Sequence, residues 1–213
     1  MRITRYGQSA LLLETGSTRL LIDPGSFCED HVFGITELDA ILITHEHPDH
    51  CDAARIGALL EANPTAPVFA PAAVIELLGL SGDRVRPVSP GASTQLGDLH
   101  IESVGTTHQE ILPSIPRCAN SGFVVTDTDG KRLFHPGDSY ETIPPGIDVL
   151  AVPLQAPWSS LRKTVDFVQA VAPARIFPIH DGFLNESGRA LSWNLLTSAV
   201  GPGIGMYATA EGE

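Results

Sequence analysis

The sequence predicts an α/β fold in which two sheets pack together with helices outside, the second half repeating the plan of the first. Three observations carry this expectation. Residues 40–43, 147–154 and 175–179 are short apolar runs with the length of buried strands. Two of these runs lead into helical spacing, at Ile56, Leu59 and Leu60 and again at Leu161, Val165, Val168 and Ala172. Hairpin patterns stand beside a strand–helix unit in each half, a pseudo-duplicated arrangement of two covered sheets.

Residues 3–13 and 18–22 read as two strands joined by the turn Glu14-Thr15-Gly16-Ser17. Asp23-Pro24-Gly25 ends the second with turn chemistry. Residues 26–38 form a loop carrying Cys28, Glu29, Asp30 and His31, where a histidine among acids reads as solvated surface. The strand at 40–43 follows, and beyond it a ligand-rich turn runs into a helix ending at Glu61.

Next come a strand at 67–70, a helix at 72–80 stopped by Ser81-Gly82-Asp83, and a strand at 84–88. Strands at 94–96 and 99–104 flank Gly97-Asp98, and His100 in the second of them reads as structural. Residues 110–120, with Pro113 and Pro116, form a loop expected to overhang the site. A hairpin at 121–126 and 131–135 turns at Asp127-Thr128-Asp129-Gly130. After the strand at 147–154 the loop 155–160 leads into the third helix. A helix at 191–200 closes the chain before a Gly-rich tail expected to be mobile.

At 213 residues, with 43% hydrophobic and 18% charged, the chain suits one globular domain spanning residues 1–213. No run approaches the roughly 18 apolar residues of a membrane span. The amino terminus lacks a secretory apolar region, so a cytoplasmic address is expected. Cys28, Cys51 and Cys118 are odd in number and widely spaced, which favours reduced thiols. A net charge of −12 argues against nucleic-acid or anionic-membrane partners, which want a basic face, and leaves a small-molecule substrate. An oligomer is compatible with the sequence.

The chemistry concentrates in Thr44-His45-Glu46-His47-Pro48-Asp49-His50, directly after the strand at 40–43. His45 and His47, two residues apart, can point the same way at a strand end. Pro48 forces a bend, beyond which Asp49 and His50 can face a second position. Imidazoles and a carboxylate are donors for divalent cations, so the segment reads as feeding two adjacent metal positions. A capped polar turn would explain Asp49 but not three histidines. Cys51 could add a thiolate, but its place after the ligands, in the first turn of the helix, favours a buried apolar role. Asp23 either starts a turn or braces a metal-binding histidine from behind. His108 leaves the strand 99–104 where a further ligand is expected. Asp138, leaving the second hairpin through Gly137, can reach between two metals or simply make an Asp turn.

The set THEHPDH, His108, Asp138 in HPGD and His180 in PIHDG, in that order, resembles the metallo-β-lactamase superfamily. It looks closest to a small branch of metal-dependent hydrolases similar to ascorbate phosphate lactonase, and the likeness covers nearly the whole chain from LIDPG to PIHDG. The resemblance implies a four-layer αββα sandwich. It implies a first metal on His45, His47 and His108, a second on Asp49, His50 and His180, and Asp138 as a bridge. Asp23 matches a supporting aspartate of that family, and His135 a frequent residue that is not a ligand. The stretch Gln155-Ala156-Pro157-Trp158 departs from the branch, lacking its glycine- and methionine-bearing loop.

The expected activity is hydrolysis by a water or hydroxide held between two divalent metal ions about 3.5–4 Å apart, with Asp49 orienting that nucleophile. The donor set suits zinc, and manganese or iron as well. An ester, a lactone or a related carbonyl compound is the expected substrate. A phosphodiesterase, an iron-dependent redox enzyme on the same fold and a non-catalytic metal-stabilised binding module are the alternatives. His135, Asp181 and a metal-bound water are candidates for the leaving-group acid, and Asp181 and Trp158 for the substrate pocket, although Trp158 could equally anchor its loop.

Overall fold

The structure, a computed structural model, describes residues 1–212. Its first half contains β1 (Arg2–Arg5), β2 (Leu11–Thr15), β3 (Thr18–Ile22), β4 (Ala40–Leu42), α1 (Ile56–Ala62), β5 (Val68–Ala70), α2 (Ala72–Leu77) and β6 (Val85–Pro87). The second contains β7 (Ser93–Leu96), β8 (Leu99–Val104), β9 (Gly122–Thr126), β10 (Arg132–His135), β11 (Val149–Pro153), α3 (Leu161–Val171), β12 (Arg175–Ile179) and α4 (Glu186–Val200). Two short strands, β13 (Gly205–Met206) and β14 (Ala210–Glu211), end the chain. One sheet has the order β14-β1-β2-β3-β4-β5-β6 and the other β13-β12-β11-β10-β9-β8-β7.

Strand periodicity divides the apolar side chains into three layers. Leu11 and Leu13, Leu20 and Ile22, and Ala40 and Leu42 point between the sheets, where they meet Leu99, Ile101, Phe123, Val149 and Phe177. The intervening Leu12, Leu21, Ile41 and Ile43 face outwards and pack with Ile56 and Leu59 of α1. On the other side Val124, Phe134, Leu150 and Val152 are covered by Phe167 and Val168 of α3 and Leu196 of α4. The result is the expected αββα sandwich. Each fully buried Leu, Ile or Phe contributes about 1.5–3 kcal/mol of transfer free energy, which fixes the register of strands with one correct face.

Several local expectations change. The strand expected at 3–13 is broken by a tight turn, with Gly7 at φ 86° and Gln8 at φ 46°. Ala10 donates to the Gly7 carbonyl at 3.0 Å, and β1 and β2 become antiparallel neighbours. The loop 26–38 contains a 3-10 turn at Asp30–Gly34. The helix after the histidine-rich segment starts only at Ile56, because Asp52 first caps a turn through the amides of Ala54 and Arg55. Cys51 therefore lies in the loop, not in a helical turn, and is buried there as a free thiol. The last helix begins at Glu186, where the Asn185 side chain accepts from the Gly188 amide. The tail is not loose: β13 pairs in parallel with β12, and β14 with β1.

β3, β4 and β5 run in parallel, as do β10, β11 and β12. β8 is antiparallel to β9, which is antiparallel to β10, so β8 and β10 share a direction. The carboxyl ends of β3, β4, β8, β10 and β12 thus open toward one rim of the sandwich, where open sheets place their sites.

Candidate metal centre

Two groups of donors meet at that rim. His45, His47, His108 and Asp138 offer ligand atoms that all lie within 4.8 Å of one another, and so do Asp49, His50, Asp138 and His180. Asp138 belongs to both. Its Oδ2 lies 3.3 Å from His108 Nε2, 3.1 Å from His180 Nε2 and 4.0 Å from His45 Nε2. Its Oδ1 lies 3.1 Å from His50 Nε2. Asp49 Oδ2 stands 3.2 Å from His180 Nε2 and 3.6 Å from His50 Nε2.

Fixed acceptors behind the imidazoles decide which nitrogen faces inward. His108 Nδ1 donates to the Gln109 carbonyl at 2.5 Å, and His180 Nδ1 to the Gln155 carbonyl at 2.7 Å. His50 Nδ1 donates to Asp23 Oδ2 at 2.7 Å. The Thr44 hydroxyl gives its proton to Asp23 Oδ2, so its oxygen accepts from His45 Nδ1 at 3.0 Å. In all four rings Nε2 is left toward the cavity, the outer-shell pattern of metal-binding histidines. His47 is the reverse: its Nδ1 faces His45 Nε2 at 3.2 Å, while its Nε2 meets Cys118 Sγ at 3.7 Å.

The donors fit divalent cations on two counts. His50 Nε2 and Asp138 Oδ1 are buried and face each other at 3.1 Å without a well-aligned hydrogen bond, a costly state that a cation held by both would relieve. The set is also imidazole and carboxylate without thiolate, matching borderline and harder divalent metals.

Charge states differ between the groups. Burial holds His45 well below the ordinary histidine range, and burial with the neighbouring His108 lowers His47. Burial also opposes charge on His50 and His180, but the Asp138 carboxylate outweighs it. His50 is raised well above the usual value, and His180 to about 9. Burial would raise Asp49, yet its hydrogen bond with His180 and the charge of His50 bring it down to about 2. Asp138, similarly buried, is held well below the carboxylate range by His50 and His180.

Backbone strain is concentrated here. Asp23 at φ 48° and His180 at φ 55° are left-handed non-glycine residues, as is Gln8. Such conformations cost on the order of 1–3 kcal/mol each and persist where the surroundings over-determine them. The surroundings are tight: a Cβ on Gly25 would lie 1.9 Å from the Asp49 carbonyl oxygen, and one on Gly137 2.8 Å from Thr44 Cβ.

Every expected ligand is thus brought together, and Asp23 lies behind His45 and His50 as a brace. His135 is fully buried behind the site, donating from Nε2 to the Ser9 carbonyl at 3.1 Å and accepting at Nδ1 from Gly137. Asp181 is not in the pocket. It is buried in ion pairs with Arg5 at 2.8 Å and Arg189 at 3.1 Å, so neither it nor His135 is placed to protonate a leaving group. Trp158 lines the pocket and also donates from Nε1 to Asp138 Oδ2 at 3.0 Å. The His31 side chain is exposed, as expected.

Residue-level reading of the sequence missed Gln8. Its Nε2 donates to Asp49 Oδ2 at 2.8 Å, its Oε1 accepts from the Gly182 amide, and its carbonyl accepts from His180 N. It also missed Asn120, whose Oδ1 accepts from the Asp138 amide at 2.9 Å. Neither carries a motif; only Gly7, an isolated glycine inside an apparent strand, hinted at the first.

Residues 2–180 match the family described as the beta-lactamase superfamily domain. The chain belongs to the metallo-β-lactamase superfamily. It is 44% identical over 200 residues to Protein Rv0786c of Mycobacterium tuberculosis, covering 92% of both chains. It is 30% identical over 193 residues to a UPF0173 metal-dependent hydrolase of Pyrobaculum arsenaticum, covering 84% of each. The metallo-beta-lactamase fold protein YhfI from Bacillus subtilis superimposes with a TM-score of 0.73 at 19% identity, over 96% of this chain and 90% of that one. This superfamily fold accounts for the two sheets and for the rim on which the donors lie. Among the described residues no helix is long and apolar enough to cross a membrane.

Proposed function

We propose that this superfamily member is a binuclear metal-dependent hydrolase, one functional unit over residues 1–213, that cleaves a small-molecule ester, lactone or related carbonyl compound in the cytoplasm. The observation that carries the reading is Asp138, one buried carboxylate within reach of imidazole nitrogens of both donor groups, His108 of the first and His50 and His180 of the second. His45, His47 and His108 would hold one cation, and Asp49, His50 and His180 the other, with zinc favoured by the histidine-rich set. The names of metal-dependent hydrolases among its relatives support the same class.

Bound divalent cations would supply Lewis acidity and a water acidified toward neutral pH. The chain's own contribution is positioning and proton handling. Asp49 is the carboxylate that remains partly open to the cavity, at 17% side-chain exposure. Gln8 ties down its Oδ2, so Asp49 is held in place to orient a nucleophilic water. Trp158 closes one wall of a cavity of about 110 Å³, room for a reacting carbonyl group rather than a whole substrate. Asp23, Thr44, Gln109 and Gln155 keep the imidazoles oriented.

Elemental analysis together with a panel of lactones, aryl esters and aryl phosphodiesters tests the reading. Two equivalents of transition metal and turnover of lactones or esters are expected. Protein that holds no metal, or that turns over only phosphodiesters, overturns it.

A further inference from the structure

The cavity is small, but its surroundings are not polar. Phe183 lines it, stacks on His180 with centroids 5.6 Å apart, and meets Phe27 edge-on at 5.2 Å. Both phenyl rings are about half exposed, at 51% and 49%. Ile111 also lines the cavity, and its loop exposes Leu112 and Ile115 at 54% and 44%. Apolar side chains from two loops at one opening, Phe183 and Ile111, with further exposed apolar groups beside them, mark a binding surface more than chance exposure does.

The charges nearby point the same way. No lysine or arginine lines the cavity. Arg117 donates to the His108 carbonyl and to Glu141, and Arg189 is paired with Asp181. Arg55 is committed to Asp52 and Asp30. An anionic substrate would find no free guanidinium fork of the kind that recognises phosphate or carboxylate.

We infer that this rim selects substrates by an uncharged apolar group: the reacting carbonyl enters the cavity while an alkyl or aryl tail lies across Phe183, Phe27 and Ile111. This rests on the hydrolase reading of the same pocket and adds the substrate class. The occupant is a small molecule because the apolar rim is continuous with the metal-facing cavity, which no lysine or arginine lines among the described residues. Covering a methylene on such a surface is worth on the order of a two- to fourfold gain, the upper end being full burial.

Two arms test it on the metal-loaded protein. In the binding arm, N-alkylacetamides from methyl to octyl are titrated calorimetrically. Affinity is expected to rise by about two- to fourfold per methylene over the first few carbons. Phe183→Ala and Phe27→Ala should flatten that slope with metal stoichiometry unchanged, and Phe183→Leu should restore most of it. In the kinetic arm, 4-nitrophenyl esters and γ-lactones of increasing chain length should show a parallel rise in kcat/KM. Affinity independent of tail length overturns the inference, as does binding to phosphatidylcholine vesicles with a flat amide series. A rising amide series with no carbonyl substrate cleaved keeps the apolar-tail site but removes the hydrolase reading, and with it the claim that the tail belongs to a substrate.

Discussion

Asp138 touches imidazoles of both donor groups, so its removal acts on both at once. Asp138→Ala should reduce bound metal from two equivalents to one or none and take hydrolytic activity to background, measured by elemental analysis and turnover on one preparation. Cys51→Ala is the contrast. Burial and the charges of Asp23 and Asp52 push that thiol up to about 12, so no thiolate is available near neutral pH. The variant should keep metal and activity and cost about 1 kcal/mol in denaturant unfolding. Gln8→Leu removes the amide that fixes Asp49 without touching the other donor group. It should weaken one of the two metal equivalents by roughly 10–100-fold, resolved by competition with a chelator. Proton linkage adds a signature. His180 at about 9 and His50, raised well above the usual value, are protonated at pH 7 in the metal-free protein. Their protons must leave before the nitrogens bind a cation, so metal binding should release protons and weaken as pH falls below about 9. In the metal-free state the sign is the opposite: the His180 pairing stabilises the fold fully below 6.5 and is lost as pH rises through about 9. Calorimetry in buffers of different ionisation enthalpy reads the release directly, and binding without proton release would refute it.

Elements place these groups through turns that admit no extra atom. After β3 the backbone at Gly25 passes so close to the 49–50 peptide that a Cβ would meet the Asp49 carbonyl oxygen at 1.9 Å and the His50 amide nitrogen at 2.5 Å. Gly25→Ala must therefore push the ligand loop outward and should lower metal affinity more than tenfold, read by the same chelator competition. The elements themselves were largely legible. β8 and β12 match their expected limits to the residue, because each is a short run bounded by turn residues. The clustered donors at the ends of β4, β8, β10 and β12 were legible for a related reason: imidazole and carboxylate clusters just after buried strands have few other uses. What stayed hidden was non-periodic. The Gly7-Gln8 turn sits within a stretch that otherwise reads as continuous strand, so the residue that holds Asp49 looked like part of β1. The amino-terminal turn of α4 is Glu186-Ser187-Gly188-Arg189, with nothing apolar to set a helical period. Gln155 and Trp158 lie on the loop that departs from the family pattern, yet they brace His180 and Asp138.

At the scale of the whole molecule the carboxyl-terminal tail is the surprise, because glycine content suggested mobility while pairing partners decided otherwise. β13 adds to β12 in one sheet and β14 to β1 in the other, so a single short segment bridges the two sheets at one edge. The Gly205, Tyr207 and Gly212 amides donate to Ala174, Ile176 and Arg5 carbonyls, and the Tyr207 hydroxyl reaches the Met1 carbonyl at 3.0 Å. The tail pairs along part of the edges of β12 and β1, which would otherwise expose unpaired backbone. It also places Glu211 3.3 Å from Arg5, the residue that pairs with Asp181 beside His180. The Glu211 pairing is solvent-exposed and contributes little, so the tail's effect should come from its backbone bonds and the burial of Tyr207. A chain ending at Pro202 should therefore lose about 2–4 kcal/mol, a fall in Tm of roughly 5–15 °C for a protein of this size. It should still bind two metal equivalents, since among the described residues neither donor group includes a residue beyond His180. Scanning calorimetry with elemental analysis checks both halves. An unchanged Tm would mean that the two sheets are held by their shared core alone, whereas loss of metal at an otherwise folded rim would mean that Arg5 and Asp181 depend on the tail to keep His180 in place.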